Sequence, residues 1–94
     1  MGPGQEKVKH YKSIDVWRRL NDERVVRYRC FEVLPDGGFC VQSADFFDAP
    51  VSIDRILEHE RQYVELLIED APDERSEPHE TLEAAIEAHD KEFR

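Results

Sequence analysis

The alternation of apolar and polar residues predicts a β-hairpin near the centre of the chain. Residues 24–47 contain two apolar-rich runs separated by the sequence LPDGG at positions 34–38. Proline fixes φ at about −65° and glycine accepts a left-handed backbone, so this pentapeptide is typical of a tight turn. We therefore expect antiparallel strands over residues 24–33 and 39–47, joined by a three-residue loop at residues 35–37.

The loop length determines which residues of the two strands lie opposite each other. A three-residue loop predicts the cross-strand pairs Leu34 with Gly38, Glu32 with Cys40, Cys30 with Gln42, and Arg27 with Asp45. The last pair joins opposite charges, which favours this register. A slip of one residue would lose this pair.

This register divides the hairpin into two faces, because successive strand residues point to opposite sides. The first face carries Val26, Tyr28, Cys30, Leu34, Cys40, Ala44 and Phe46. The second face is polar at the open end of the hairpin, with Arg27, Arg29, Ser43 and Asp45. Near the turn it is predicted to carry four large apolar residues, Phe31, Val33, Phe39 and Val41. In a sheet with one face in water, apolar and polar residues alternate along each strand, and the face in water is polar. Four large apolar side chains on the second face therefore need a cover.

The segment before the hairpin, Tyr11 to Leu20, allows two interpretations. Ile14, Val16 and Leu20 alternate as in a strand, whereas Ser13 followed by apolar residues three positions apart also suits a short helix. We prefer the strand, because Asn21-Asp22 is a turn signal and the next strand follows at once. The result is a three-stranded antiparallel meander.

Two helices are expected after the hairpin. Apolar residues recur at three- and four-residue steps from Ile53 to Asp70, after a cap at Ser52, and only Glu60 interrupts this stripe. A second helix, from Leu82 to Phe93, follows a cap at Thr81, and the proline-containing residues 71–80 form a loop. The predicted fold class is α+β: a small antiparallel sheet of two to three strands with a central hairpin, followed by two C-terminal helices packed on one face. Residues 1–9 are expected to be a disordered lead-in, and residues 10–94 to form a single domain.

Charge and hydropathy narrow the classes of partner. The 94-residue chain has a formal net charge of −9, and the whole excess lies in residues 51–94, which contain five basic and fourteen acidic residues. Such a surface repels phosphate backbones, so we expect no direct binding of nucleic acid. No apolar run approaches the ~20 residues of a membrane span, so we expect no membrane partner and a cytoplasmic location.

Candidate chemistry is sparse. The histidines His10, His59, His79 and His89 show no metal-binding spacing. Cys30 and Cys40 lie in the middle of predicted strands, on the same face in the register above, where small buried core residues are the usual interpretation. We therefore expect no catalytic residue, no metal and no cofactor, and a protein that is not an enzyme.

Two functional hypotheses are open. The first is a protein-interaction module that forms a homodimer through Phe31, Val33, Phe39 and Val41, with the N-terminal segment as the competing cover for these residues. The alternative is an acidic inhibitor or decoy that binds a basic partner, such as a nucleic-acid-binding protein or a toxin. Its acidic face would comprise Glu58, Glu65, Glu69, Glu83, Glu87 and Asp90. The first hypothesis is preferred because exposed apolar residues need an explanation and exposed acidic residues do not.

Overall fold

The computed structural model describes residues 8–93, so most of the predicted lead-in, residues 1–9, lies outside the described residues. Three strands precede three helices in the chain. The strands are β1 (His10–Asn21), β2 (Arg24–Leu34) and β3 (Phe39–Asp48). The helices are α1 (Ile53–Glu69), α2 (Pro72–Arg75) and α3 (Leu82–Glu92). The predicted α+β class, with an antiparallel sheet followed by C-terminal helices, is confirmed.

The sheet is an antiparallel meander with strand order β1-β2-β3. The strand interpretation of residues 11–20 is therefore confirmed, and the alternative short helix is wrong. Every residue from His10 to Arg19 has a partner on β2, so hydrogen bonding to the central strand decides the conformation of this segment. The predicted turn follows, with the Asn21 side-chain oxygen accepting a hydrogen bond from the Glu23 amide at 2.8 Å.

The pairing of β2 with β3 agrees with the predicted register only at the open end of the hairpin. Arg27 lies opposite Asp45 as predicted, but Cys30 lies opposite Val41 and Glu32 opposite Phe39, a shift of one residue. The shift begins at a β-bulge, where Gln42 has no partner on β2.

The longer connection between the strands accounts for this shift. Gly37 and Gly38 have φ angles of 90° and 97°, so both take left-handed conformations, and Leu34 has no partner on β3. The Val33 amide donates to the Gly38 carbonyl at 3.0 Å, and the Gly37 amide donates to the Val33 carbonyl at 2.7 Å. Val33 and Gly38 therefore close a loop of four residues, 34–37, where the prediction has a three-residue loop closed by Leu34 and Gly38.

The one-residue shift moves the β3 residues near the turn to the opposite face. We keep the names of the two faces from β2: the first face carries Val26, Tyr28 and Cys30, and the second carries Arg27, Arg29, Phe31 and Val33. Cys40 lies opposite Phe31 on the second face, while Phe39 and Val41 pack on the first. The prediction that both cysteines share one face is wrong, because the bulge at Gln42 moves Cys40 to the second face while Cys30 stays on the first.

The two long helices lie on opposite faces of the sheet rather than on one. Tyr63 of α1 stacks on Phe31 of the second face, with ring centroids 5.8 Å apart. Ala85 of α3 packs into the core of the first face with Val26 and Cys30. The reason is that both faces are apolar near the turn, so each needs a cover.

The chain between the helices passes along the outer edge of β3. Phe39 and His79 exchange backbone hydrogen bonds, each 2.8 Å long, and the Ser76 hydroxyl donates to the Val41 carbonyl at 3.0 Å. This segment satisfies part of the edge of β3 and carries the chain from the second face to the first. The predicted loop over residues 71–80 therefore contains the short helix α2 and this bridge.

The helix boundaries agree with the sequence to within one residue. The Ser52 hydroxyl accepts from the Arg55 amide at 3.4 Å, and the Thr81 hydroxyl accepts from the Ala84 amide at 3.0 Å, so both predicted N-caps are confirmed. Within residues 8–93, no helix is both long and apolar enough to cross a membrane.

Candidate interaction surface

The four residues predicted to form an exposed apolar patch do not form one. Phe31, Val33 and Val41 are 1%, 2% and 4% exposed, and Phe39 is half-buried. The prediction that they lie outside the fold is wrong for two reasons. The bulge places Phe39 and Val41 under α3, and α1 and β1 cover Phe31. These residues are core, so an interaction surface must be sought elsewhere.

The cover over Phe31 is aromatic on two sides. Tyr63 of α1 stacks on its ring, and the Tyr11 ring of β1 meets it edge-on at 6.3 Å. The Tyr11 hydroxyl in turn donates to Asp73 of α2 at 2.8 Å, and Lys9 donates to the same carboxylate at 2.7 Å. The hydrogen bond from Lys9 is the main reason that the pKa of Asp73 is lowered.

A cluster of charged side chains lies between the second face and α1 at the open end of the hairpin. Arg27 contacts Asp45 at 3.1 Å and Glu60 at 3.2 Å. Arg29 contacts Glu60 at 2.7 Å and Asp15 at 3.2 Å. Both guanidinium groups are buried, so the three carboxylates around them compensate charges that would otherwise be costly to remove from water.

Aromatic rings complete this charged cluster. The Arg29 guanidinium lies 3.7 Å from the centre of the Tyr63 ring, and that of Arg27 lies 5.2 Å from the centre of the Phe47 ring. The hydrogen bond from Arg29 is the main cause of the lowered pKa of Glu60. Glu60 is therefore ionised at neutral pH and engaged by two arginines. These ion pairs attach α1 to the sheet. They also explain why Glu60 interrupts the predicted apolar stripe of this helix.

Helix α1 has more apolar surface than the sheet can cover. Its sheet-facing side uses Ile56, His59, Tyr63 and Leu67, yet no residue of α1 is fully buried. Four large apolar side chains point away from the sheet. Ile53, Leu57, Val64 and Ile68 are 67%, 61%, 50% and 79% exposed. We call these four residues the outer stripe.

The sequence contains the signal for the outer stripe, although its periodicity alone predicts a single apolar surface on α1. The residues of the outer stripe follow one another at steps of four, seven and four positions, which keeps them on one side of a helix. The sheet-facing residues lie roughly a quarter of a turn away. A single apolar stripe covers an arc of about 100°, so the wider arc of α1 indicates two adjacent surfaces.

The six residues predicted to form an acidic face lie on two sides of the molecule. Glu58, Glu65 and Glu69 belong to α1, and Glu83, Glu87 and Asp90 belong to α3, across the sheet. Some of these carboxylates already have partners within the chain. Arg61 pairs with Glu58 and Glu65, and Asp90 accepts a hydrogen bond from the Tyr28 hydroxyl at 2.9 Å. The six do not form one continuous surface.

The cysteines are buried, as predicted, and both are free thiols. Burial raises the pKa of Cys30 to about 12 and that of Cys40 to about 11. The thiolate is the reactive form of cysteine, so burial disfavours the reactive form of both side chains at neutral pH. Among residues 8–93, no three side chains of the His, Cys, Asp and Glu types are grouped closely enough to hold a metal ion.

A depression of about 590 Å³ lies between α3 and β3. Val41, Ala85 and Ala88 line its apolar part, and His89 lies where it meets a second depression of about 610 Å³. The His89 Nδ1 and Gln42 Oε1 atoms are buried without a hydrogen-bond partner in the described residues. Burial lowers the pKa of His89, so its ring is held neutral.

Comparison with known proteins assigns no relatives. No protein family model, curated protein or solved structure shows significant similarity to this chain.

Proposed function

We propose that this protein is a non-enzymatic protein-interaction module whose binding surface is the outer stripe of α1. The observation that carries this proposal is the exposure of Ile53, Leu57, Val64 and Ile68, each at least half accessible to solvent, on one side of one helix. Large exposed apolar side chains grouped on one side of a helix are typical of sites of protein association. A helix that presents apolar side chains at these steps is suited to packing against another helix or in an apolar groove.

The charged cluster supports the same proposal. Arg27, Arg29 and Glu60 hold α1 on the sheet through ion pairs rather than through deep apolar burial. The apolar residues of the helix that are not needed for this attachment remain available to a partner. The two free thiols are compatible with a reducing compartment, and we propose a cytoplasmic location.

The second candidate function is an acidic inhibitor or decoy that binds a basic partner. It is supported by the exposure of Glu83 and Glu87 on α3 and by the net charge of −9. The division of the six predicted acidic residues between two sides of the sheet weakens it. Raising the salt concentration discriminates between the two functions, because a charge-driven complex weakens while an apolar one persists.

The test is affinity capture with three forms of the protein as bait. The wild type is compared with Leu57→Glu/Val64→Glu, which places two charges in the outer stripe. The matched control is Val8→Glu/Leu34→Glu, which adds the same charge at two exposed apolar positions outside α1. We expect a protein, including further copies of this chain, to be retained by the wild type and the control and lost with the stripe variant.

Each retained protein is then purified, and its affinity for the three baits is measured directly. A partner that binds all three baits equally, or that is released by moderate salt, would contradict the proposal. The stripe variant must keep the circular dichroism spectrum of the wild type, because its altered side chains are exposed.

A further inference from the structure

The outer stripe of α1 has a twofold pattern. Its four residues form two pairs, Ile53 with Ile68 and Leu57 with Val64. Both pairs are centred on the same point of the helix, between Glu60 and Arg61. Consider a second α1 helix that is antiparallel to the first, with a twofold axis passing between the two helices at the level of that point. This arrangement places the members of each pair opposite each other. The stripe is therefore complementary to itself, as a twofold interface requires.

We propose that the outer stripe binds a second copy of this chain, with the two α1 helices packed antiparallel. This inference rests on the proposed function of the stripe and names its partner. The interface lies on the outer side of α1, away from the sheet, so it leaves the core of each copy unchanged.

The size of the stripe is sufficient for a specific but modest interface. Helix α1 has 17 residues and is about 25 Å long, and the stripe occupies most of that length. At one end of the stripe Ile53 and Leu57 are four positions apart, and at the other end Val64 and Ile68 are. Side chains at this spacing form the ridges along which helices pack. Eight large apolar side chains from two copies, with their flanking residues, reach about the 1,000 Å² at which specific interfaces begin. We therefore expect a dissociation constant in the micromolar range.

Electrostatics favours the antiparallel arrangement over a parallel one. A parallel pair would bring Asp54 of both copies together and align the two helix dipoles, whereas an antiparallel pair opposes them. Arg61 lies near the centre of the stripe and contacts Glu65 at 3.1 Å and Glu58 at 3.5 Å within its own chain. Across the twofold axis it approaches Glu58 of the second copy. This contact offsets part of the repulsion between two acidic chains.

Residues of this sequence outside the described range do not explain the stripe. Residues 1–7 contain one large apolar side chain, Met1, and residue 94 is an arginine. Four exposed apolar side chains along one helix need a longer apolar partner than these residues provide.

The test is disulfide cross-linking at the two ends of the stripe. Full-length Ile53→Cys and Ile68→Cys proteins are mixed under mild oxidation, and each is also oxidised alone. In the antiparallel dimer, position 53 lies beside position 68 of the second copy and about 22 Å from its own equivalent. We expect the mixture to form the mixed dimer about tenfold faster than either protein dimerises alone. Glu83→Cys, on α3, serves as the control for random collision.

Each outcome decides the inference. Faster self-linking of Ile53→Cys would show a parallel pair, and rates equal to the Glu83→Cys control would show that no pair forms, so either result overturns it. Cross-linking could fail while affinity capture identifies a partner that the stripe variant does not bind. In that case the inference that the partner is a second copy is wrong, and the proposed function stands. If both experiments fail, the proposed function is also wrong.

Discussion

At the scale of single residues, two arginines of β2 take buried positions of the kind that apolar side chains fill elsewhere in the sheet. Arg27 and Arg29 occupy buried positions on the second face, with their charges compensated by carboxylates and their planes against aromatic rings. The pairing of Arg27 with Asp45 was predictable, because opposite charges lay at opposite positions of the hairpin. The contribution of Glu60 was not, because it depends on how α1 lies on the sheet.

Removal of Asp45 should destabilise the fold strongly. Its carboxylate lies 3.1 Å from Arg27 and 3.8 Å from Arg29, and it is 8% exposed. Asp45→Ala leaves a buried guanidinium with fewer partners, and we expect it to lower the free energy of unfolding by about 3 kcal/mol. The control, Arg24→Ala, breaks an exposed ion pair with Asp48 outside α1 and should cost about 0.5 kcal/mol. Chemical denaturation that gave equal losses would contradict a structural role for the cluster.

Acidification should weaken the fold through His89. Burial lowers its pKa in the folded chain, so the unfolded chain binds the proton more readily once the pH falls below the ordinary value of about 6.5. The free energy of unfolding should therefore decrease between about pH 7 and pH 5. The lowered pKa values of Glu60 and Asp73 make a further loss begin below about pH 4.5.

His89→Gln should reduce the first part of this loss and leave the second. Equilibrium unfolding over the pH range measures both parts, and His10→Gln, at an exposed position on β1, is the matched control. A wild type and a His89→Gln variant with the same pH dependence above pH 5 would contradict the buried, neutral state of His89.

At the scale of secondary-structure elements, local sequence signals predict where the helices begin. They do not predict on which face of the sheet the β3 residues near the turn lie. Ser52 and Thr81 begin the two long helices because their side chains cap nearby backbone amides, an interaction within four residues of sequence. The β-bulge at Gln42 has no such local signal. The Gln42 side chain donates to the Tyr63 carbonyl at 3.3 Å, so its position is fixed by a helix that follows much later in the chain.

The same limit explains the wrong interaction site. The sequence showed correctly that Phe31 and Val33 need a cover, but it did not show that the connection along β3 allows one helix to reach each face. Once the helices separate, both faces are covered and the surplus apolar surface appears on α1. The exposed residues were present in the predicted stripe, and only packing against the sheet distinguishes them from the covered ones.

The turn between β2 and β3 should respond differently to substitution at its two glycines. Both have left-handed φ angles, so alanine at either position should cost about 1–2 kcal/mol. A Cβ atom at position 38 would also lie 3.0 Å from the Pro78 side chain, whereas at position 37 it would meet no neighbour within 4 Å. Gly38→Ala should therefore lower the melting temperature more than Gly37→Ala. Equal changes would show that Pro78 does not pack against the turn.

At the scale of the whole molecule, the fold is a thin sheet with a separate helix on each side and a strongly acidic C-terminal half. Its first face is closed by α3, and its second face is closed partly by ion pairs to α1. This arrangement completes the core of one chain and leaves one helix with an apolar outer side. Because each copy carries a net charge of −9, association through that side should strengthen when salt screens the repulsion.

The most direct test of this account is the mass of the protein in solution, measured by sedimentation equilibrium over a range of micromolar concentrations. The chain has a mass of 11.1 kDa. We expect the wild type and the Val8→Glu/Leu34→Glu control to approach twice that mass as the concentration rises. Leu57→Glu/Val64→Glu should remain at the mass of one chain with the same thermal stability as the dissociated wild type. A wild type that stays monomeric throughout, or a stripe variant that still doubles its mass, would contradict self-association through the outer stripe of α1.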